Sequence, residues 1–240
     1  MKKALLISGG RQVSKQLIEK YGDRFILVAD GGARILKKYD LVADLLLGDL
    51  DSIGDETLSY VKDKDIKIKK FPAKKDLTDT ALCIDYLLEE GYKDLVILGA
   101  LGTRLDHELA NLYNLKMLYK LGVSAKIVDD YNEVIYVEEG EYEFERSDKK
   151  YFSLINAGDK MSFTTEGLYY EVQDLEINAM NPSRAVSNEM VGDKAKVIIN
   201  YGSAFIIQSR DWLQFKIKKQ KPVLWKTGFF NALIFYFSNL

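Results

Sequence analysis

The stretch that most constrains the fold is Leu45-Leu46-Leu47-Gly48-Asp49-Leu50-Asp51-Ser52. Three consecutive leucines leave no polar face for solvent. A strand of this kind is buried on both sides, which requires helices above and below a parallel sheet. The run then stops at a glycine and two aspartates two positions apart. In open α/β sheets, ligands bind beyond the carboxyl ends of the strands. Two carboxylates on a turn there can converge on one hard cation such as Mg2+. A polar turn that merely ends the strand is the competing reading of the same residues, and the rest of the chain must decide between them.

The first half repeats this grammar. Residues 3–8 read as a strand ended by Gly9-Gly10, followed by a short helix within 12–20. Residues 24–29 read as a second strand, followed by Asp30-Gly31-Gly32-Ala33 and a helix ending near Tyr39. The two glycines let the backbone approach a ligand, and a helix start favours anions. Asp30 as an N-cap accounts for the same residues. A helix over 55–62 and an exposed strand over 66–69 come next. Lys74-Lys75-Asp76-Leu77-Thr78-Asp79 then opens a helix that Gly91 stops. Asp76 and Asp79, three apart, share a helical face, and the same spacing reads as a capping box started by Asp76. The strand 94–98 runs into Gly99-Ala100-Leu101-Gly102-Thr103-Arg104-Leu105-Asp106-His107. Arg104 offers a planar fork for phosphate oxygens; an exposed Arg104–Asp106 pair of little energetic value is the alternative. In the helix that follows, Leu109, Leu112, Leu115 and Met117 are expected to face inward. Residues 125–129 form a further strand.

From residue 132 the periodicity changes. Short alternating segments over 133–138, 142–145, 151–156, 160–164, 168–172, 195–200 and 203–208 indicate strands without long helices. The expected fold is an α/β N-terminal domain with a mainly parallel sheet over 1–131, then a smaller all-β sandwich or roll over 132–210. Residues 211–240 form a tail. Its aromatic run Phe229–Phe237 is far below the ~20 residues that cross a bilayer. Such a segment more often packs on its own chain or on a twin subunit, and a basic stretch beside an aromatic one also suits contact with a membrane surface.

Composition allows this architecture: 47% of the 240 residues are hydrophobic and 29% charged, enough to bury a core. The net charge of -2 gives no case for nucleic acid or an anionic membrane as partner. The single cysteine, Cys83, excludes an intrachain disulfide and fits a reducing cytoplasm. The apolar stretch before Gly9 is too short for a signal peptide.

Taken together, Asp30, Asp49 and Asp51, Asp76 and Asp79, and Asp106 stand at four strand ends along one edge. Carboxylates repel phosphate, so the cluster makes sense for a nucleotide only with a metal. Mg2+ held by a few carboxylates and completed by phosphate oxygens meets that need. The chain has no Gly-x-x-x-x-Gly-Lys-Ser/Thr loop and no Gly-x-Gly-x-x-Gly after the first strand, which disfavours P-loop and dinucleotide enzymes. These residues indicate a Mg2+-dependent phosphoryl or nucleotidyl enzyme.

The order and spacing of several segments resemble the thiamine pyrophosphokinase family. They are Asp30-Gly31-Gly32-Ala33, Gly48-Asp49-Leu50-Asp51-Ser52, Lys75-Asp76-Leu77-Thr78-Asp79 and Gly102 through Asn111. In the second half, Thr164 through Tyr170 and Val186-Ser187-Asn188-Glu189 fit as well. The resemblance implies transfer of diphosphate from ATP to the hydroxyl of thiamine, giving thiamine diphosphate and AMP. It implies Mg2+ held by Asp49, Asp51 and Asp76, and catalytic positions at Asp76, Asp79, Arg104 and Asp106. Nucleotide contacts fall on Asp30, Gly31, Asp49, Thr78, Gly102, Arg104 and His107. Thiamine contacts fall on Ser187, Asn188 and a C-terminal tryptophan, Trp212 or Trp225. The family works as a homodimer whose sites join the first domain of one subunit to the second domain of its twin. Two positions depart from the pattern: Ala43 stands where a proline is usual, and Thr103 replaces a common glycine.

Two rival functions use the same residues. Asp49-Leu50-Asp51 resembles the Asp-x-Asp of phosphatases that form a phosphoryl-aspartate, although that motif ordinarily follows the first strand. A non-catalytic nucleotide-binding module would also employ the acidic edge.

Overall fold

Alternate side chains of single strands feed two different cores, which is why the apolar runs have no polar face. In strand β1 (Lys2–Ile7), Ala4 and Leu6 enter one core, Leu5 and Ile7 the other. In β3 (Leu45–Gly48), Leu45 and Leu47 enter the first core and Leu46 the second. The computed structural model describes residues 1–51, 53–70, 77–102 and 104–211. With β2 (Phe25–Ala29), β4 (Lys67–Lys70), β5 (Tyr92–Leu98) and β6 (Ser124–Val128), these strands pair in parallel in the order β6-β5-β1-β2-β3-β4.

Among the described residues, five helices cover the two faces. Val13 and the residues of α1 (Lys15–Glu19), α2 (Arg34–Tyr39) and α3 (Asp55–Asp63) fill the core on one side. Helices α4 (Asp79–Glu89) and α5 (Leu105–Lys120) fill the core on the other. Leu87 of α4 is fully buried, and truncating such a leucine to alanine costs about 2–5 kcal/mol.

The helix starts differ in part from expectation. Thr78, in extended conformation, caps α4 by accepting the Ala81 N–H at 3.2 Å. Asp79 is therefore the first helical residue, and the cap is not Asp76, which lies outside the described residues. Asp30 opens a short 3-10 turn, Asp30–Gly32, rather than capping α2. On α5, Leu115 and Leu118 are buried and Leu112 is partly buried, whereas Leu109 and Met117 face outward. The helix meets the sheet along positions three apart. The row four apart, Leu105, Leu109, Tyr113 and Met117, is exposed.

The strand order carries a topological consequence. From β1 the chain proceeds in one direction through β2, β3 and β4, and in the other through β5 and β6. The order reverses between β1 and β5, and the crevice outside such a reversal is where open α/β sheets bind ligands.

Beyond β6 the sheet continues without interruption. β6 pairs antiparallel with β7 (Asn132–Glu145). The turn between them contains the expected boundary at 131–132. Asp129 Oδ1 holds that turn, accepting the N–H groups of Tyr131 at 2.7 Å and Asn132 at 2.6 Å. β8 (Tyr151–Asn156), β9 (Lys160–Glu166), β10 (Leu175–Asn178), β11 (Asn188–Glu189) and β12 (Lys194–Ser209) complete the described strands. β12 runs beside β7 along both of its halves. Its first half is flanked also by β9 and its second by β8. The register breaks after Ile199, where Gly202 takes φ 86 and the strand changes partner. The sheet thus rolls around a third core that includes Phe152, Leu154, Phe163, Val197 and Ile206.

The segments expected over 133–138 and 142–145 are one strand, as are 195–200 and 203–208. The segment 168–172 is not a strand: it carries a single bridge, Leu168 to Met190, and its Tyr169 and Tyr170 are exposed. Met1–Arg210 form one compact unit. The tail, including Trp212 and Trp225, lies outside the described residues apart from Asp211. No helix among the described residues is long and apolar enough to cross a membrane.

Candidate active site

The crevice at the β1–β5 reversal is built of backbone before it is built of side chains. Past their strand ends the two chains stay joined: Ser8 N–H donates to Leu98 O at 2.8 Å, Gly10 N–H to Gly99 O at 2.7 Å and Arg11 N–H to Leu101 O at 2.8 Å. Gly99 has φ +65, and a Cβ there would stand 2.5 Å from the Ser8 carbonyl oxygen. Only glycine meets both demands.

On the α4–α5 side this seam opens into a cavity of about 230 Å3. Gly31, Thr78, Asp79, Arg104 and His107 all line it. These sequence-expected residues come from three separate segments and meet because β1, β2 and β5 are neighbours. Ser8, Thr80, Glu108 and Asn111 also line it and were not singled out from sequence. Ser8 Oγ and Thr80 Oγ1 are 2.5 Å apart and tie β1 to the first turn of α4. Glu108 Oε1 accepts the Gly102 N–H at 2.7 Å, and buried Asn111 donates to Ala100 O at 2.8 Å. The loop before α5 is thus fixed from below by its own helix. Asn111 follows His107 by four residues and Glu108 by three, which sets it on the helical face of each, and that spacing is the sequence signal that could have found them.

Arg104 reaches Asp106 with a two-pronged contact, Nε to Oδ1 at 3.1 Å and Nη2 to Oδ2 at 2.5 Å. The guanidinium holds the Asp106 carboxyl down at about 2, below its ordinary 3.8, and both side chains are exposed. The exposed pair anticipated as the alternative is present, and it presents Arg104 at the cavity rim. Asp106 itself does not line the cavity, nor does Gly102, whose N–H is taken by Glu108.

The other acids stand apart from this cavity. Asp30 is 1% exposed and lies against Gly48, where a Cβ would come 2.6 Å from the Asp30 Cβ. Its Oδ1 accepts the Gly31 N–H at 2.5 Å, so it shapes the turn from beneath. Asp49 and Asp51 lie on the turn after β3, with the Asp51 N–H donating to Asp49 Oδ1 at 3.0 Å. Leu50 between them takes φ 73, a left-handed conformation uncommon for leucine. Asp49 is half-buried and Asp51 exposed. Among the described residues no group of three or more His, Cys, Asp or Glu is placed to hold a metal ion. Two carboxylates on one turn nonetheless suit Mg2+, which takes one or two carboxylates and completes its shell with water and phosphate oxygens.

Ser187 and Asn188 lie in the second half, far along the sheet order from the crevice. Ser187 takes φ 62 and its N–H donates to Ser153 Oγ at 2.9 Å. Asn188 spends both ends of its amide on Tyr170, accepting its N–H at 3.0 Å and donating to its carbonyl at 2.8 Å. It borders a cavity of about 80 Å3 together with Tyr170 and Arg184.

Comparison with known proteins assigns both halves. The model of the thiamin pyrophosphokinase catalytic domain matches residues 15–127, and that of the thiamin pyrophosphokinase vitamin B1 binding domain matches residues 135–206. A thiamine pyrophosphokinase from Bacillus subtilis is 26% identical over 215 residues, covering 88% of this chain and 100% of that protein. The crystal structure of a Bacillus subtilis thiamine pyrophosphokinase superposes with a TM-score of 0.79 at 24% identity, covering 88% and 100% of the two chains. That of an Enterococcus faecalis family protein gives 0.76 at 28%, with the same coverage. That of thiamin pyrophosphokinase from Candida albicans gives 0.75 at 17%, covering 88% and 89%. With the two family models matched in succession across most of its length, the chain belongs to the thiamin pyrophosphokinase family, and its activity is ATP-dependent formation of thiamine diphosphate.

Proposed function

We propose that the reaction takes place in the crevice between β1 and β5, on the α4–α5 side, with diphosphate passing from ATP to the thiamine hydroxyl and AMP leaving. The observation that carries this reading is the convergence of Thr78, Asp79, Arg104 and His107 on one cavity beside the glycine seam. Attack falls on the β-phosphorus. Arg104, swung from Asp106 onto phosphoryl oxygens, offsets the charge that grows during transfer. Asp79, exposed on the first turn of α4, accepts the hydroxyl proton. Thr78 holds that turn through its cap, and His107 borders the nucleotide.

Asp49 and Asp51, with Asp76 as third ligand, would hold Mg2+. When bound, the ion neutralises the triphosphate and lowers the cost of bringing it to an acidic edge.

We also read the enzyme as a homodimer with shared sites. The exposed row of α5 supports this: Leu105 and Tyr113 are 71% and 57% exposed, and Leu109 and Met117 continue the stripe. Contiguous exposed apolar surface commonly marks an interface, and a closed two-fold pair is the commonest way to cover it. The stripe starts beside Arg104, so a twin seated on it would border the cavity and could bring its own Ser187–Asn188 region there. The single cysteine, buried Cys83, suits a cytoplasmic enzyme.

Incubation with ATP, Mg2+ and thiamine tests the reading. AMP released only when thiamine is present supports it. ADP, or free phosphate released without thiamine, would overturn it, and ATP binding without any turnover would favour the binding module.

A further inference from the structure

The glycine seam has a second side. Across it from the catalytic cavity, toward α1 and α2, lies another cavity of about 260 Å3. Gly9, Gly10 and Gly31 wall both. Among the described residues, the polar side chains of the second are those of Ser8, Arg11, Gln12 and Arg34, and no carboxylate lines it. The catalytic cavity, by contrast, includes Asp79 and Glu108.

Arg24, Arg104 and Arg210 each hold a carboxylate. Among the described residues, Arg11 and Arg34 form no salt bridge. Arg11 is nevertheless held in place. Its N–H donates to Leu101 O at 2.8 Å, and its side chain lies across Gly102, where a Cβ would come 2.5 Å from the guanidinium Nε. Gly102 has φ +97, so the site that admits the arginine is also one that favours glycine. Arg11 is thereby fixed to the loop that carries Arg104. Two guanidinia without acidic partners, beside a wall of glycine backbone, make a cavity suited to a phosphate group.

We propose that this second cavity holds the α-phosphate of the nucleotide through Arg11 and Arg34, so that the triphosphate crosses the Gly9-Gly10 seam with its reacting end on the α4–α5 side. The proposal rests on the transfer reaction given above. In that reaction a bond forms from the thiamine hydroxyl oxygen to the β-phosphorus, and the bond from the β-phosphorus to the oxygen bridging to the α-phosphate breaks. The electron pair stays on AMP, and the hydroxyl proton goes to the base. Negative charge therefore collects on the α-phosphate. Cations on the leaving side meet it there, while Arg104 serves the transferred end.

The test uses the full chain and the variants Arg11→Gln, Arg34→Gln and Arg11→Lys, with folding followed by circular dichroism. Inhibition by AMP and by adenosine is measured alongside the steady-state constants. Loss of a charge-assisted hydrogen bond predicts that AMP inhibits each glutamine variant roughly tenfold to a hundredfold less well. Inhibition by adenosine and the KM for thiamine stay as in wild type, and Arg11→Lys recovers part of the AMP affinity. A merely structural arginine would not separate AMP from adenosine. Unchanged AMP inhibition in both glutamine variants, or an equal loss for adenosine, overturns the proposal while leaving the reaction intact. Release of ADP by the wild-type enzyme overturns the underlying reaction instead.

Discussion

Ser8 Oγ and Thr80 Oγ1 stand 2.5 Å apart at the wall of the catalytic cavity, joining the end of β1 to the first turn of α4 across 72 positions of sequence. Thr80 is 6% exposed, so its hydroxyl has little access to water. Removing one partner leaves the other unsatisfied, at about 1–3 kcal/mol. Thr80→Val is therefore expected to lower stability by about that amount in urea unfolding. The Ser8→Ala/Thr80→Val double variant should lose less than the sum of the singles, because the second change removes a group already orphaned. Strict additivity would show that the two hydroxyls do not depend on each other.

Asp49→Asn and Asp51→Asn are expected to keep the fold, since the turn bond from Asp51 N–H needs only an oxygen acceptor at position 49. Turnover should fall by more than the roughly 10–100-fold that loss of a mere outer-shell partner of a metal ligand costs. Chelation of Mg2+ should abolish wild-type turnover and re-addition should restore it. Circular dichroism and product assays read together decide this: full activity in either variant would remove that carboxylate from the metal site.

Arg104→Lys keeps the charge and loses the planar fork. Turnover is expected to fall more than ATP binding, because the charge that Arg104 meets grows during transfer. Weaker ATP binding with unchanged turnover would assign Arg104 to ground-state binding alone.

The Arg104–Asp106 contact has a pH signature. Since the folded carboxyl sits at about 2, below 3.8, any stabilisation from the pair is fully present above the ordinary value and is lost as pH falls toward 2. Carbon-detected NMR titration should place Asp106 near 2 in the wild type and near its ordinary value in Arg104→Gln. The acid limb of the activity profile near neutral pH should then not move with Asp106. A wild-type Asp106 that titrates near 4 would mean that the pair does not persist in solution.

Shared sites make complementation possible. Asp49→Asn and a Ser187→Ala/Asn188→Ala variant, each inactive alone, should rescue one another after subunit exchange. Random exchange makes half the dimers mixed, and each mixed dimer has one intact site, so about a quarter of wild-type activity should return. Native mass spectrometry confirms that mixed dimers form. Background activity in a sample containing them would mean that each chain builds its own site.

The sequence by itself determined the parallel sheet, because Leu45-Leu46-Leu47 and residues 4–7 cannot be buried on two faces in any other simple way. It determined the helical segments between the strands and the family, through the order of short polar motifs at strand ends. Local pattern misjudged what depends on neighbours. The exposed row of α5 and its buried row are both apolar, so only docking on the sheet decided that Leu109 and Met117 face outward and Leu118 inward. Nothing in the local sequence separates one long bent strand from two short ones. The pairing of β12 with β7, β8 and β9 settled that. The capping of α4 by Thr78, not Asp76, depended on where the first helical turn begins. The place of the site was likewise a tertiary decision. The acids after β2 and β3, the first turn of α4 and the start of α5 are spread over more than 70 positions in the chain. Strand order chose among them, placing Gly31, Asp79 and Arg104 around the seam between β1 and β5. It set Asp30 against Gly48 at the end of β3 and made Arg11, a residue with no local mark of function, a wall of the neighbouring cavity. Which strands lie side by side is fixed by burial of two cores at once, and that is a property of the whole sheet, which no single segment carries.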